Sequence, residues 1–145
     1  MTRTRHHNKD RNGERGQTMV EFALVLPILL VVLLAIIQFG IAFNDYLALT
    51  DAVRAGSRQG AVSRQLPDPA GSAEARVRSA AQRSLDAAAG GPLTVSVTYR
   101  DLGGGNRVEQ GGDVTVRATY PYEIRILGVV LGDGTLTSET TERVE

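Results

Sequence analysis

The sequence of 145 residues predicts an α+β fold, in which a long hydrophobic N-terminal helix precedes a small head with a short helix and an antiparallel sheet. Two observations lead to this prediction. Residues 22–43 are almost continuously apolar, which is typical of a helix that spans a membrane. From Leu93 onward, apolar and polar residues alternate, which is typical of half-buried strands.

Composition argues against several classes of function. The chain has 16 basic and 16 acidic residues, and this balance argues against a nucleic-acid partner. It has no cysteine, and its two histidines, His6 and His7, both lie ahead of the apolar run. The commonest general bases, nucleophile pairs and zinc ligands are therefore missing beyond the leader. We expect no enzymatic activity, no metal and no cofactor.

The apolar run is long enough to cross a bilayer. As a helix, residues 22–43 would span about 33 Å, against a hydrocarbon core of ~30 Å. A buried helix of a soluble domain is the alternative, but so small a chain could not cover a helix that is apolar on every face. The helical pattern continues beyond the apolar run, because Tyr46, Leu49 and Val53 fall on one face and residues 44–55 contain no helix breaker. We therefore predict one helix over residues 17–62.

A secretory signal peptide is the main rival interpretation of this region. The basic leader fits it, and Gly40-Ile41-Ala42 offers a small-x-small cleavage pattern. The uninterrupted apolar stretch is longer than usual for such a signal, and the helical pattern continues past the cut. Pro27 predicts either a mild kink or a flexible point, since proline is tolerated in membrane helices.

The charge of the leader indicates how the helix would be oriented. Residues 1–16 contain five basic and two acidic residues, immediately before the apolar run. Positive charge of this kind stays on the cytoplasmic side of a membrane helix. We therefore expect a single-pass protein of the cytoplasmic membrane, with the leader in the cytoplasm and the head outside it.

Glu21 is an acidic residue directly before the apolar run, and this position needs an explanation. An acid at the centre of such a helix costs about 2.5–3.5 kcal/mol, and less at the headgroup level. A glutamate at headgroup level near the helix start is one explanation. The other begins with Gly16: if the chain is cut after Gly16, Gln17 gains an ammonium one helical turn from the carboxylate of Glu21. Such charges could pair across neighbouring helices and set their register.

This arrangement resembles the class III signal of type IV pilins and pseudopilins, in which a glycine precedes four residues, a glutamate and an apolar helix. The longer segment is more specifically similar to the TadE-like family, minor pseudopilins of the tight-adherence (Tad, Flp) pilus system. The matching features are Gly16, Glu21-Phe22, Ala23, Leu26-Pro27, Phe39-Gly40 and the segment AVRAGSRQGA at residues 52–61, which holds Ala52, Arg54, Ala55, Gly56 and Arg58.

The resemblance implies a pilin-like fold and a set of partners. A prepilin peptidase would cut between Gly16 and Gln17, and Glu21 and Phe22 would serve assembly and register. Other pilins or pseudopilins, the Tad assembly machinery and inner-membrane lipid would be the partners, and the product would be a pilus for adhesion. Type IV pilins usually begin with a methylated Phe or Met, whereas this mature chain would begin with Gln17. Two alternatives remain: a membrane-anchored binding module that never polymerises, and a secreted protein released after Ala42.

Beyond the long helix, we predict a linker over residues 63–72 and a head over residues 73–145. Ser72 is the expected N-cap of a helix over residues 73–89, which GGP at residues 90–92 would end. Its apolar face would hold Val77, Ala81, Leu85 and Ala88.

Three strands are expected in the head. The first covers residues 93–99 and is followed by a GGGN turn at residues 103–106. The second covers residues 114–120 and would end at Pro121. Residues 123–132 fit either a short strand or an apolar loop that lies on the membrane or on a partner, and a GDG turn at residues 132–134 would precede a last edge strand.

Overall fold

The structure is a computed structural model that describes residues 11–85, 92–100, 108–126 and 128–145. It confirms the predicted α+β fold class. The elements, in chain order, are the helices α1 (Arg11–Val62) and α2 (Pro69–Ala81) and the strands β1 (Thr94–Arg100), β2 (Asp113–Ile126) and β3 (Val129–Arg143).

The chain forms two compact parts, the first of which ends at Ile37. In this first part, every described side chain from Gly16 to Leu33 is exposed, although most of them are apolar. Helix α1 begins at Arg11, inside the predicted leader, and is long and apolar enough to cross a membrane. An apolar helix that buries none of its faces within its own chain needs an apolar surrounding, and a bilayer provides one.

The second part, residues 38–145, is called the compact head from here on. Its core is built partly by the last turns of α1. Leu49 and Val53 are fully buried, as predicted, whereas Tyr46 on the same predicted face is 42% exposed. Small residues complete the buried face of these turns; they are Ala52, Gly56, Ser57, Gly60 and Ala61. Because their side chains are short, other elements can approach the helix closely.

Helix α2 differs from the predicted helix at both ends. It begins at Pro69, where a fixed φ suits the first helical position, and its N-cap is Asp68 rather than Ser72. The carboxylate of Asp68 accepts a hydrogen bond from the backbone N–H of Gly71 at 2.8 Å. The helix ends at Ala81, eight residues before the predicted end, and residues 82–84 form a turn.

The buried face of α2 follows the predicted spacing where the structure describes it. Val77 and Ala81 are buried, Ala73 joins them, and Leu85 is partly buried against the core after the helix has ended. Ala88 and the predicted GGP terminator at residues 90–92 fall wholly or partly outside the described residues.

The three strands form one antiparallel sheet in the order β1-β2-β3. The register places Val97 opposite Val116, and Val116 opposite Thr140. The predicted period of two holds in β1 and β2, whose inward residues form most of the core with α1 and α2. The buried inward residues of these strands are Tyr99, Val114, Val116, Ala118 and Tyr120. The GGGN segment at residues 103–106 lies outside the described residues.

The predicted end of the second strand is wrong. Strand β2 continues through Pro121 to Ile126, paired with β3 over this whole length. Its pairing with β1 stops at Thr119, so the later part of β2 has an open edge on that side. Proline is tolerated in strands at such edges, because no neighbouring strand there needs a hydrogen bond from the N–H that proline lacks.

The predicted turn at residues 132–134 is also wrong, because these residues belong to β3. The turn lies earlier, at Gly128, whose φ of 84° suits a residue without a side chain. The described part of residues 123–132, which leaves out residue 127, therefore forms the tip of a β2–β3 hairpin rather than a loop. Gly134 allows the ring of Tyr122 to lie close to the backbone of β3, since a Cβ at position 134 would come within 2.7 Å of that ring.

Candidate functional site

The predicted processing site lies in an open part of α1. Gly16 and Gln17 are both exposed, and a Cβ added to Gly16 would meet no atom within 4 Å. Packing against the described residues therefore does not require the glycine. Glycine in a helix interior is less stable than alanine by about 1 kcal/mol, so Gly16 needs another explanation. Recognition of the backbone by a second protein would be such a reason.

The predicted assembly site lies one turn further along the same helix. The side-chain amide of Gln17 donates a hydrogen bond to Oε1 of Glu21 at 3.1 Å. Phe22 is 61% exposed beside it. In the uncut chain the carboxylate thus has a neutral partner. A cut after Gly16 would add an ammonium on the same residue that already contacts Glu21.

Pro27 lies inside α1, which continues through it as one helix. Proline has no N–H, so the carbonyl of Ala23 loses its usual helical partner. The side chains around Pro27 are exposed, which leaves that carbonyl open to a neighbouring helix. The kink predicted at this position stays a prediction.

A comparison with protein families supports the interpretation of this helix. Residues 16–58 match the TadE-like protein family. This segment is therefore similar to proteins of the TadE-like family, as the resemblance implied, and the match covers the first half of the chain only in part. No curated protein and no solved structure matches the chain.

The TadE-like segment, residues 16–58, contains two different surfaces of α1. It starts at the exposed Gly16 and includes the whole apolar run. It also includes Leu49, Val53 and Gly56, which are buried in the compact head. The match stops before α2 and the sheet. The family pattern therefore joins a membrane-length helix to a surface on which a head is packed.

The contact between the TadE-like segment and α2 depends on one glycine. A Cβ at Gly56 would overlap Cγ2 of Val77 and lie 3.1 Å from the carbonyl oxygen of Ala73. Both atoms belong to α2, so the two helices touch through their backbones at this point. The partner residue Val77 lies 21 residues further along the chain, so this contact could not be predicted from the sequence.

A second close contact joins the end of α1 to the sheet. The hydroxyl of Tyr99 donates a hydrogen bond to the carbonyl oxygen of Gly60 at 3.2 Å. Ser63, buried just after the helix, also bonds that carbonyl, at 3.2 Å. The backbone N–H of Glu145 donates to the carbonyl of Ala61 at 3.1 Å. Carbonyls at a helix end lack helical partners, and here other parts of the head supply them.

Arginines surround the outer face of the last turns of α1. Arg54 lies 3.7 Å from Asp51, and both side chains are exposed, so this pair stabilises little. Arg58, Arg76 and Ala55 line an open groove. This geometry is compatible both with a solvated helix face and with a docking surface for another subunit.

Chemistry that would support catalysis is not evident in the part of the chain that the structure describes. Within those residues, no group of three or more His, Cys, Asp or Glu side chains comes together to hold a metal ion. His6 and His7 lie outside the described residues. The prediction that the protein has no enzymatic activity and no cofactor stays a prediction.

Proposed function

We propose that this protein is a minor pseudopilin of a Tad-type pilus. It is anchored by α1 in the cytoplasmic membrane, cut by a prepilin peptidase after Gly16 and used in assembly of a pilus for adhesion. The observation that carries the proposal is the family match over residues 16–58, which begins at Gly16 and includes Glu21. The exposed glycine and the exposed apolar helix behind it support this role.

The geometry suggests how the chain would take part in each step. An exposed Gly16 gives a peptidase access to the backbone, since no side chain among the described residues lies within 4 Å of a Cβ added there. After the cut, the ammonium of Gln17 and the carboxylate of Glu21 would lie one turn apart on a helix that exposes apolar side chains all around. In a bundle of such helices, unpaired charges are strongly disfavoured, so paired ends would fix the axial register.

The first test is the N-terminal residue of the protein extracted from membranes, measured by mass spectrometry. We expect Gln17 with a free amine, which the proposed charge pair with Glu21 requires. An intact leader would instead indicate a permanent anchor, and Phe43 would indicate a secreted protein. Either result would overturn the proposal.

A pair of variants separates recognition from folding. Gly16→Leu should abolish the cut, because the peptidase would meet a bulky side chain at the cleaved bond. Gly40→Leu is the matched control, because Gly40 also lies in α1 and no atom of the described residues lies within 4 Å of a Cβ added there. The control should be cut as efficiently as the wild type. Normal cutting of Gly16→Leu would contradict the assignment of the site.

A further inference from the structure

The tip of the β2–β3 hairpin is an apolar surface that the proposed function does not explain. Val129, Val130 and Leu131 expose 60%, 49% and 63% of their surfaces. The sequence between Arg125 and Asp133 contains no charged residue. Three consecutive exposed aliphatic side chains at the end of a hairpin are unfavourable in water.

A hydrogen bond places this tip beside the apolar part of α1. The side-chain amide of Gln38 donates to the carbonyl oxygen of Arg125 at 2.7 Å, and both residues belong to the compact head. Gln38 is the one strongly polar residue among residues 22–43. It lies five residues before Phe43, where the apolar run ends, which corresponds to about 7.5 Å along the helix. The tip therefore lies next to residues that a membrane would cover.

The same hydrogen bond solves a problem that a sheet edge has in lipid. Among the described residues, the part of β2 from Pro121 to Ile126 pairs with β3 and not with β1, so backbone groups on its other edge need partners from outside the sheet. Such groups cost several kcal/mol in hydrocarbon unless they find a partner. The amide of Gln38 supplies one for Arg125. Arg125 and Glu123 also neutralise each other, because the guanidinium of Arg125 lies 2.6 Å from the carboxylate of Glu123.

We propose that the hairpin tip, Ile126 with residues 128–131, is a second membrane contact that inserts into the outer leaflet of the bilayer that holds α1. The occupant of this apolar surface is lipid, because Gln38, which contacts the base of the tip, lies within the apolar run and is followed by the exposed Phe39, Ile41 and Phe43. Gln38 is the residue that positions it. This inference rests on the proposed role of α1 as a membrane anchor.

Single tryptophans can test the proposal, because the natural chain contains none. The full-length protein would be reconstituted in phosphatidylcholine vesicles and in matched vesicles whose acyl chains carry bromine, which quenches tryptophan on contact. The test variant is Val130→Trp. The control is Thr137→Trp, an exposed position further along β3, and the calibration variant is Leu29→Trp, inside the apolar run. Quenching does not depend on which way the protein faces, since both leaflets are brominated.

Insertion predicts blue-shifted emission and quenching by brominated lipid for Val130→Trp, and neither for Thr137→Trp. If Leu29→Trp is quenched while Val130→Trp behaves like Thr137→Trp, the tip is in water and the inference is wrong. Blue-shifted emission of Val130→Trp without quenching would show that protein covers the tip, which also overturns it. If Leu29→Trp is not quenched either, the anchor itself is wrong, and the proposed function fails together with the inference.

Discussion

Tyr99 is the residue at which the sheet is tied to the end of α1. Its ring is buried, and its hydroxyl bonds the carbonyl of Gly60. Burial raises the pKa of the Tyr99 phenol, a hydrogen bond with Ser63 lowers it, and the negative charge of Asp68 raises it, with a net increase. The folded head therefore prefers the neutral phenol.

This increase leads to a prediction about pH. A group whose pKa is higher in the folded state contributes stability that is complete below the unfolded pKa, about 10 for tyrosine. The contribution is lost as the pH rises through the folded pKa. Tyr99→Phe should lower the free energy of unfolding by about 1 kcal/mol at neutral pH, through the lost hydrogen bond. It should also reduce the further loss of stability that the wild type shows above about pH 10.

Urea unfolding of the detergent-solubilised chain at several pH values, followed by circular dichroism, would measure both effects. Tyr122→Phe is the control for loss of a phenol from the same sheet. If the wild type and Tyr99→Phe lose stability in parallel above neutral pH, the buried phenol is not the group responsible.

At the scale of the element, α1 combines an exposed apolar stretch with a closely packed one. Gly56 is the position at which the packing is tightest, since α2 touches its backbone. Gly56→Ala would gain about 1 kcal/mol of helix propensity. The overlap with Val77 would cost about 1–3 kcal/mol, because a packed core does not accept an extra methyl group freely. We expect the loss to dominate.

Thermal unfolding of the head would measure the effect of Gly56→Ala. A second substitution tests whether the overlap with Val77 is its cause. Val77→Ala in the Gly56→Ala background should recover part of the loss, because it removes the methyl group that clashes. Gly40→Ala is the control, since nothing lies within 4 Å of its added Cβ. A Gly56→Ala head as stable as the wild type would show that α1 and α2 are less tightly packed than described.

The elements also show which features a sequence can predict. The period of two identified the inward residues of β1 and β2, because alternation depends only on neighbours along the chain. The end of β2 was mispredicted, since Pro121 breaks a strand only where another strand needs its N–H. The start of α2 was mispredicted because Asp68 and Ser72 are both good caps, and Pro69 favours the earlier one.

The contacts of the candidate site and of the hairpin tip also divide into those that a sequence can predict and those that it cannot. Gly16, Gln17 and Glu21 lie within one or two helical turns, so their proximity follows from the sequence once a helix is assumed. Gln38 and Arg125 are 87 residues apart, and their hydrogen bond depends on how the hairpin packs. The sequence did carry one signal for it: a single amide within an otherwise apolar run needs a partner.

At the scale of the whole molecule, the proposed assembly role of Glu21 leads to a prediction that no single chain can show. Glu21→Ala should leave the cut after Gly16 largely intact and reduce the number of pili. Glu21→Gln should do the same, because the charge rather than the hydrogen bond with Gln17 would pair with a neighbouring ammonium. Asp51→Asn, which removes an exposed carboxylate elsewhere on α1, is the control.

Pili would be counted by electron microscopy, and the N-terminus of each variant would be determined by mass spectrometry. The Asp51→Asn variant should assemble normally. Wild-type numbers of pili in Glu21→Gln would show that the carboxylate is not needed for register. Failure of the cut in Glu21→Ala would instead assign the residue to peptidase recognition.

The burial of Leu49, Val53 and Gly56 in the head has a practical consequence for work with a soluble fragment. A fragment that starts in the linker, after Val62, would lack the helix that covers the inner face of the sheet. Its exposed valines and tyrosines would favour aggregation. A fragment that starts near Asn44 would keep the helix and omit most of the apolar run. Proteolysis at the membrane surface would therefore release a folded head, whereas proteolysis in the linker would destroy it.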